Sequence, residues 1–431
     1  MPATLIAVTG HQIKVEVTVE LSRSLLETEE AVQTALNQAG CLLTQEALHY
    51  LDTNGSPVVI GGEVWRTKGQ QPKAYQTPYG EVVVERHVYQ RSGGGKTYCP
   101  LERKARIVIT STPRFAKQVS SKLAQGAARE VQRDLAENHA RPVAVSYLQR
   151  LSEAIGTVVQ AKEIDWEYAL PELDVPVASV AVGLDGTCLW LCENGWREAM
   201  VGTISLFNAE GERQHTLYVA ATPEYGKPIF LERLARELER VKAAHPQATY
   251  LGLADGAEAN WRFLTPRTEI QLIDFYHASG YLQAVAVAAF PNAQDQTQRA
   301  KWLHEQCHRL KHETGAAQVL LEEMKPLITA NLNATQREQL ESAITYFTNH
   351  HHQMDYAAAL HQHWPIGSGV TEAACKTLVK QRLCRSGMRW KEKGAAMVLS
   401  LRALMLTPDR WRQFWDKIDQ FGFPVAVSGI I

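Results

Sequence analysis

Two aspartates are placed where they could bind a metal ion. Asp185 follows the apolar run 177–184, Asp255 follows the apolar run 250–254, and a glycine comes directly after each aspartate. An Asp-Gly pair after a strand is most often a turn. If the two runs are neighbouring strands of one sheet, however, the aspartates converge at the strand ends. The glycines then let a ligand approach both carboxylates.

A third carboxylate, Glu372, follows a Pro-Ile-Gly-Ser-Gly segment. The proline ends the preceding element, Ser368 can cap a helix, and the helix dipole favours a carboxylate in the first turn. An ordinary ion pair between Glu372 and Lys376, one helical turn further on, is the alternative. The sequence therefore predicts that Glu372 is held at the rigid start of a helix.

Together the three acids predict a site for hard divalent cations. Carboxylates that are brought together repel one another unless cations neutralise them, and their oxygen ligands suit Mg²⁺ or Mn²⁺. Two such ions about 4 Å apart can activate a nucleophile and stabilise the leaving oxygen in phosphodiester chemistry. We predict that Asp185, Asp255 and Glu372 are the catalytic residues and the ligands of two ions.

Asp274 and His277 lie beside the presumed site, at the end of the predicted strand 270–275. A catalytic carboxylate at Asp274 would be a rival to Asp255. The alternative is that Asp274 caps the following helix and His277 lies on its first turn.

A cluster of positive charge follows Glu372. Residues 376–393 contain seven bases and one acid, which gives a net charge of +6. Because the charge has one sign and adjoins the carboxylates, we predict a basic helix that binds DNA phosphate, with a solvated face as the alternative. The predicted DNA-binding bases form two rows on this helix: Lys376 and Lys380, then Arg382, Arg385 and Arg389. Trp390 could stack on a base, although a place in the core is the alternative.

The middle of the chain has the pattern of a mixed α/β domain. An amphipathic helix, 228–243, separates two groups of strand candidates. Those before it are 177–184, 199–207 and 215–221, with a hairpin turn at 208–211, and those after it are 250–254 and 270–275. Three strands, a helix and two more strands is the order of a ribonuclease-H-like core. We predict its first part at 176–277 and its closing helices at 366–431.

An all-α insertion is predicted between these parts, at 278–365, because this stretch is helical in pattern and polar, with a break at 331–334. It contains a histidine run at 350–352, as well as His361 and His363. Successive histidines point to different faces of a helix, so a metal cluster is one interpretation and solvated surface is the other.

The pattern of residues 1–110 predicts an α+β module. It has an alternating strand at 11–20, a helix at 23–51 and short β-rich runs after residue 58. Cys99, after a glycine loop, could belong to half of a zinc ribbon. With no second cysteine pair, a buried Cys99 is the alternative.

Residues 111–175 predict a helical, helix-turn-helix-like DNA-binding segment. One helical run begins at Pro113 and extends to about Asn138, with an interruption at Gln125-Gly126, and a second run follows Pro142. Bases that could contact phosphate are spread over the segment: Arg114, Lys117, Lys122, Arg129, Arg133, Arg141 and Arg150. A plain helical hairpin with solvated Arg and Lys is the alternative.

Composition restricts the class of protein and its compartment. The 431 residues are 45% apolar and 21% charged, as in ordinary globular proteins, and the net charge of −1 means that any DNA binding must depend on local charge. There is no apolar run of about 18 residues and no signal peptide. Seven scattered cysteines without a CxxC motif fit reduced thiols. We predict a cytoplasmic protein, nucleoid-associated when bound to DNA, with no membrane partner.

Several motifs resemble those of a known family. GLDGT, LADGAEANW, DFYHASGYL and PIGSGVTEAACKTLVKQRL with the following SGMRW are similar to motifs of the DDE transposases of ISKra-type insertion sequences, distant relatives of Mutator-like enzymes. The resemblance extends to PYGEVVVERHVYQ and CPLE in the N-terminal module. It covers nearly the whole chain, and its motifs are specific as a set.

The resemblance implies a ribonuclease-H-like catalytic domain with an all-α insertion before the catalytic glutamate. By motif position, Asp185, Asp255 and Glu372 match the acidic triad. Asp274 and His277 match an accessory motif in which many relatives have Cys in place of Asp. The implied activity is metal-dependent hydrolysis at element ends, with two Mg²⁺ or Mn²⁺ ions, and strand transfer of the freed 3′-hydroxyl into target DNA. The implied partners are terminal-repeat and target DNA and further copies of the chain, as a homodimer or higher oligomer on DNA.

Two other functions fit the same residues. One is a catalytically silent, sequence-specific DNA-binding protein derived from a transposase, which the intact triad disfavours. The other is a host nuclease of the same fold that lacks the strand-transfer step.

Overall fold

The computed structural model describes residues 2–163, 165–222 and 226–423 of the chain. Its contacts divide the chain into two units. The N-terminal unit comprises Met1–Tyr168, Ser400–Met405 and Arg410–Ile431, and the sheet unit comprises Ala169–Leu399 and Leu406–Asp409. The five predicted segments divide the chain more finely, and their boundaries stay a prediction.

The N-terminal unit contains two small antiparallel sheets and a series of helices. Its strands are β1 (Ala3–Thr9), β2 (Gln12–Val17), β3 (Val58–Ile60), β4 (Glu63–Gln76) and β5 (Glu81–Arg91), which form the sheets β1-β2 and β3-β4-β5. Its first helices are α1 (Leu25–Leu51), α2 (Pro100–Lys104), α3 (Pro113–Gln125), α4 (Ala128–His139) and α5 (Val145–Lys162). The predicted alternating strand and long helix are confirmed as β2 and α1. The apolar residues of β1 do not alternate, so this strand gave no signal of period two.

Alternation along β5 builds the core of this unit. Val82 and Val84 point inward and are buried with Leu48 of α1 and Leu101 of α2. Cys99, which precedes α2, packs against the same cluster. Cys99 is therefore a partly buried packing residue, close to the alternative of a buried cysteine.

The structure contradicts the predicted contact between Arg141 and DNA phosphate. Its side chain is buried, its Nε donates to the carbonyl oxygen of Thr77 at 3.1 Å, and its second nitrogen donates to Gln76 Oε1 at 2.7 Å. The guanidinium satisfies acceptors in the turn before β5. A buried charge with these partners cannot also reach DNA phosphate.

The sheet unit is built on one five-stranded mixed sheet. Its strands and the helices between them are β6 (Ser179–Leu191), β7 (Gly195–Phe207), β8 (Arg213–Ala221), α6 (Gly226–Ala244), β9 (Thr249–Ala254), α7 (Glu258–Leu264) and β10 (Ile270–Ile273). The strand order is β10-β9-β6-β7-β8, in which β6, β7 and β8 are antiparallel and β9 and β10 run parallel to β6. The predicted α/β class is confirmed at this level.

Strand β6 is longer than predicted, which changes the place of Asp185. The parallel pairing of β6 with β9 ends at Gly183, but its antiparallel pairing with β7 continues to Leu191. Asp185 therefore lies inside a strand, opposite Val201, and not in a turn after one. The second half of β6 is half-exposed, since Leu189 and Leu191 are buried while Cys188 and Trp190 are exposed. Because buried and exposed residues alternate in this half, it does not form the continuous apolar run that predicted the first half of the strand.

Helices occupy most of the chain between β10 and residue 361. They are α8 (Phe275–Ala289), α9 (Gln296–His312), α10 (Ala316–Met324), α11 (Ala334–His350) and α12 (Tyr356–His361). The predicted break at 331–334 is confirmed, because Asn333 caps α11 by accepting from the N–H of Gln336 at 2.9 Å. Phe347 of α11 is fully buried in the core that the sheet shares with these helices.

The basic stretch after Glu372 is not one continuous helix. Helix α13 (Gly369–Ala374) continues as a π-helical segment, Cys375–Lys380, and then as α14 (Gln381–Leu383). A turn follows in which Gly387 has a φ of +75°. The predicted pair of rows along a single helix is therefore wrong. The last elements within the described residues are α15 (Glu392–Leu406) and α16 (Arg410–Phe421). None of the described helices is both long and apolar enough to cross a membrane.

Candidate acidic site

Asp185 and Asp255 lie on neighbouring strands of the sheet. Asp255 directly follows β9 and is half-buried, while Asp185 lies two residues beyond the point where β6 stops pairing with β9. Asp185 Oδ1 accepts from the N–H of Gly186 at 2.7 Å. Burial raises the pKa of Asp185, the Gly186 hydrogen bond opposes this shift, and the charge of Asp255 adds to it. The two carboxylates are thus electrostatically coupled.

Glu372 lies in the first turn of α13, whose position is fixed by a threonine pair. Thr371 Oγ1 and Thr203 Oγ1 of β7 form a hydrogen bond of 2.7 Å between buried side chains. A Cβ atom on Gly183 would lie 2.2 Å from Thr371 Oγ1, so only glycine lets α13 come this close to β6. Within the described residues, Glu372 makes no ion pair with Lys376, which removes the simple alternative.

Cys375 connects α13 to Asp185. Its Sγ donates to Asp185 Oδ2 at 3.6 Å, and the side chain is buried. Burial, the adjacent Asp185 and the more distant charge of Glu372 raise the pKa of this thiol to about 12. The thiol is therefore neutral, and it lies within electrostatic range of both acids.

Ser368 links Glu372 to Asp274. Its hydroxyl contacts Asp274 Oδ2 and lies 3.2 Å from Glu372 Oε1. Ser368 does occupy the N-cap position of α13, but its side chain makes no capping hydrogen bond with that helix. The predicted cap is wrong in this respect, because the hydroxyl is engaged by the two carboxylates.

Asp274 is the capping residue that the alternative interpretation predicted. It is 1% exposed, and its Oδ1 accepts from the N–H of His277 at 2.8 Å at the start of α8. Its Oδ2 accepts from the backbone N–H and the hydroxyl of Ser368. Both oxygens are therefore used to tie the end of β10 to the loop before α13.

Two residues of α11 support the Asp255 turn and were missed in the sequence. The hydroxyl of Tyr346 donates to the carbonyl oxygen of Asp255 at 2.7 Å. Rings of Tyr346 and His350 lie against Gly256, which has a φ of +109°. Tyr346 also stacks on Tyr281, with 4.0 Å between ring centroids. Neither residue type nor spacing marks such a contact, because it joins positions that are 91 residues apart in the chain.

His277 lies on the first turn of α8, as the alternative interpretation predicted, and His352, His361 and His363 are exposed, as the interpretation of a solvated surface predicted. His350 packs on the Asp255 turn and hydrogen-bonds through Nδ1 to Gln353 Oε1 at 3.0 Å. His277 makes ring contacts with Tyr281 and Tyr346, which places it in the same aromatic cluster. Among the described residues, no three His, Cys, Asp or Glu side chains are grouped closely enough to hold a metal ion as they stand.

The predicted DNA-binding bases divide into exposed and buried ones. Four are exposed: Lys376, Lys380, Arg385 and Arg389. Arg382 is only 4% exposed, with its guanidinium 4.9 Å from the ring centroid of Trp390 and a hydrogen bond to Met388 Sδ. The prediction of a DNA contact by Arg382 is therefore wrong, since this charge holds the turn after α14.

Trp390 belongs to the same turn. Its Nε1 donates to the carbonyl oxygen of Leu383 at 3.0 Å, and its backbone carbonyl accepts from Cys192 at the end of β6. With Arg382 over one face of the ring, Trp390 is a partly buried packing residue. This is the alternative to base stacking.

Compared with known proteins, the chain matches no family model and no curated relative. Function must therefore be argued from the site itself.

The raised pKa of Asp185 predicts a pH-dependent stability. A carboxyl group whose pKa is higher in the folded state than in the unfolded state destabilises the fold once it ionises. Stability therefore falls as the pH rises from about 3.8 through the folded-state pKa. Asp185→Asn removes this ionisation, so the variant should unfold a few degrees above the wild type near pH 7. The gain should shrink as the pH is lowered. Thermal unfolding followed by circular dichroism at a series of pH values from 7 down to below 3.8 measures this, and a pH-independent gain or a loss of stability would contradict the electrostatic cause.

Proposed function

We propose that this chain is a DNA transposase of the DDE type, which hydrolyses DNA at the ends of its element and joins the freed 3′-hydroxyl to target DNA. The observation that carries the proposal is the position of three acids around one edge of a mixed sheet. Asp185 lies on β6, Asp255 directly follows β9, and Glu372 lies in the first turn of α13. Cys375 Sγ donates a hydrogen bond to Asp185, and the charge of Glu372 contributes to the raised pKa of its thiol.

The order of the elements supports a ribonuclease-H-like core. Three antiparallel strands, a helix and two strands parallel to the first follow one another in the chain, and β6 lies at the centre of the sheet. We interpret residues 278–365 as an all-α insertion into this core. Its helix α11 contacts the site through Tyr346, which would explain why the catalytic glutamate follows the insertion.

The chemistry of the donor set suits a hard divalent metal, although the three acids would have to move closer together than they lie in the described structure. Asp185, Asp255 and Glu372 offer only carboxylate oxygens, which suit Mg²⁺ or Mn²⁺. Burial makes Asp185 costly to ionise, and a cation held by these acids would offset that cost. Such ions would supply activation of the attacking hydroxyl and stabilisation of the leaving oxygen. The protein's own part is to hold the acids: Thr203 and Thr371 fix α13, and Tyr346 fixes the Asp255 turn.

DNA would be held by two parts of the chain. Lys376, Lys380, Arg385 and Arg389 are exposed just beyond Glu372 and offer positive charge to backbone phosphate. The helical segment 111–175, which contains α3, α4 and α5, would recognise the terminal repeats. Lys122 in this segment is paired with Asp134, so the remaining exposed bases would make those contacts.

The first test changes each acid to its amide. Asp185→Asn, Asp255→Asn and Glu372→Gln keep the shape of the side chain but remove the charge that holds a metal. Each should reduce cleavage of terminal-repeat DNA to background while leaving DNA binding largely unchanged. Cleavage is measured on end-labelled DNA with Mn²⁺, and binding by gel shift.

A matched control for these variants is Glu258→Gln. Glu258 lies three residues beyond Asp255 on α7, with its side chain 81% exposed and paired with Arg262. This variant should cleave as the wild type does. Normal cleavage by any one of the three test variants would remove that residue from the proposed triad.

The second test concerns the exposed bases. Lys380→Ala together with Arg385→Ala should weaken binding to terminal-repeat and random DNA alike. Each lost phosphate contact lowers the salt slope of log K by about 0.9, so the slope should fall by about 1.8. Fluorescence anisotropy at several salt concentrations measures the slope.

The control for charge alone is Lys301→Ala together with Lys325→Ala, which removes two exposed lysines far along the chain from Glu372. Its salt slope should equal that of the wild type. An unchanged slope in a folded Lys380→Ala, Arg385→Ala variant would show that these side chains do not contact phosphate.

A further inference from the structure

Helix α1 carries a long apolar stripe that faces solvent. Its 27 residues begin at the cap Ser24, whose hydroxyl accepts from the N–H of Glu27. Six large apolar residues on it are exposed, and all but Leu26 lie in one row. The row is exposed by 72%, 38%, 54%, 38% and 62% in chain order: Leu25, Val32, Leu36, Leu43 and Tyr50. Apolar residues of this size are usually buried, so a row of them indicates an interaction surface.

The stripe is straight. At about 100° per residue, the spacings of 7, 4, 7 and 7 keep all five side chains within an arc of about 40°. Over the ~38 Å from Leu25 to Tyr50 the stripe neither drifts nor broadens. A narrow seam of this kind is the pattern of a helix that pairs with another helix, in contrast to the broad apolar face that packs on a sheet.

Within its own unit α1 packs mainly through other residues, although Tyr50 at the end of the stripe also contacts the ring of His11 and hydrogen-bonds to its Nδ1 at 2.8 Å. Ala35, Ala39, Gly40 and Leu48 are buried. The ring of Tyr79 lies directly on Gly40, where an added Cβ atom would be 2.3 Å from it. At about 100° per residue these buried positions lie on both sides of the stripe, and Leu36 and Leu43 stay exposed between them.

Charge excludes nucleic acid as the occupant of the stripe. Helix α1 contains no Lys or Arg, and residues 31–45 contain no charged residue at all. The only acids on the helix are Glu27, Glu29 and Glu30 near its start and Glu46 near its end. A DNA-facing surface needs the opposite sign of charge.

We propose that the stripe pairs with the same stripe of a second copy of the chain, with the two α1 helices antiparallel. A straight seam of constant width matches itself under a two-fold axis near its midpoint, as an isologous dimer requires. Parallel pairing would place three glutamates opposite three glutamates, whereas antiparallel pairing separates them and opposes the helix dipoles favourably. Contact along the whole seam would bury on the order of 1,000 Å², the area at which specific interfaces begin.

Sedimentation of the full-length protein without DNA tests the proposal independently of any transposase activity. The wild type should sediment as a dimer. Leu36→Lys places a charge in the centre of the seam and should raise the dimer dissociation constant at least tenfold. Thr34→Lys adds the same charge at an exposed position on the other side of α1 and should leave the constant unchanged. Leu36→Gln adds no charge but removes an apolar contact, so it should also raise the dimer dissociation constant.

The orientation of the helices is tested by exchanging charges. In the antiparallel pairing Val32 of one copy lies opposite Leu43 of the other. Val32→Lys with Leu43→Glu should therefore restore much of the dimer that Val32→Lys with Leu43→Lys loses. A monomeric wild type, or a folded Leu36→Lys variant that dimerises as the wild type does, would overturn the proposal. Equal loss in both double variants would overturn the antiparallel pairing.

Discussion

Burial of the carboxyl group of Asp185, next to a second carboxylate at the same edge of the sheet, is the constraint on which the sheet unit depends. Asp185 and Asp255 lie on adjacent strands, and burial and mutual charge raise the pKa of Asp185. Folding alone would favour a neutral residue at this position. Other contacts offset the cost of ionising Asp185. Strand β6 pairs with β7 along its whole length, and Cys375 donates a weak hydrogen bond to the carboxylate of Asp185. A protein accepts such a cost where the charge is needed for function.

Three separate parts of the chain are fixed relative to these strands by short polar contacts. Thr371 reaches β7 through Thr203, Ser368 joins the loop before α13 to Asp274, and Tyr346 holds the turn after β9. Each contact is made close to an acid and leaves the carboxylate oxygens of Asp255 and Glu372 largely available. In the proposed metal site, these three contacts would position the acids that bind the ions. Asp274, with both oxygens engaged, is a structural residue in this arrangement.

Sequence patterns predicted the elements whose signal is local. The apolar runs of β6 to β10, the hairpin turn after β7, the break before α11 and the candidate acids could all be found by periodicity and residue type. The features that sequence patterns did not predict depend on contacts between residues that are far apart in the chain. Arg382 is a residue type that often contacts DNA phosphate, and it lies in a basic stretch. The turn at Gly387, however, places the ring of Trp390 against its guanidinium. The second half of β6 needed its partner β7 to be recognised, and Tyr346 contacts a residue 91 positions earlier in the chain.

The most direct measurement of the central claim is to incubate the purified full-length protein with its own flanking DNA and Mn²⁺, and to sequence any joined products. If the acids at this edge catalyse strand transfer, element ends should be found covalently joined through their 3′ ends to new target sites. Asp185→Asn should give none. Cleavage without joining would identify a nuclease, and the absence of both reactions under conditions in which the protein binds the DNA would contradict the proposed enzyme.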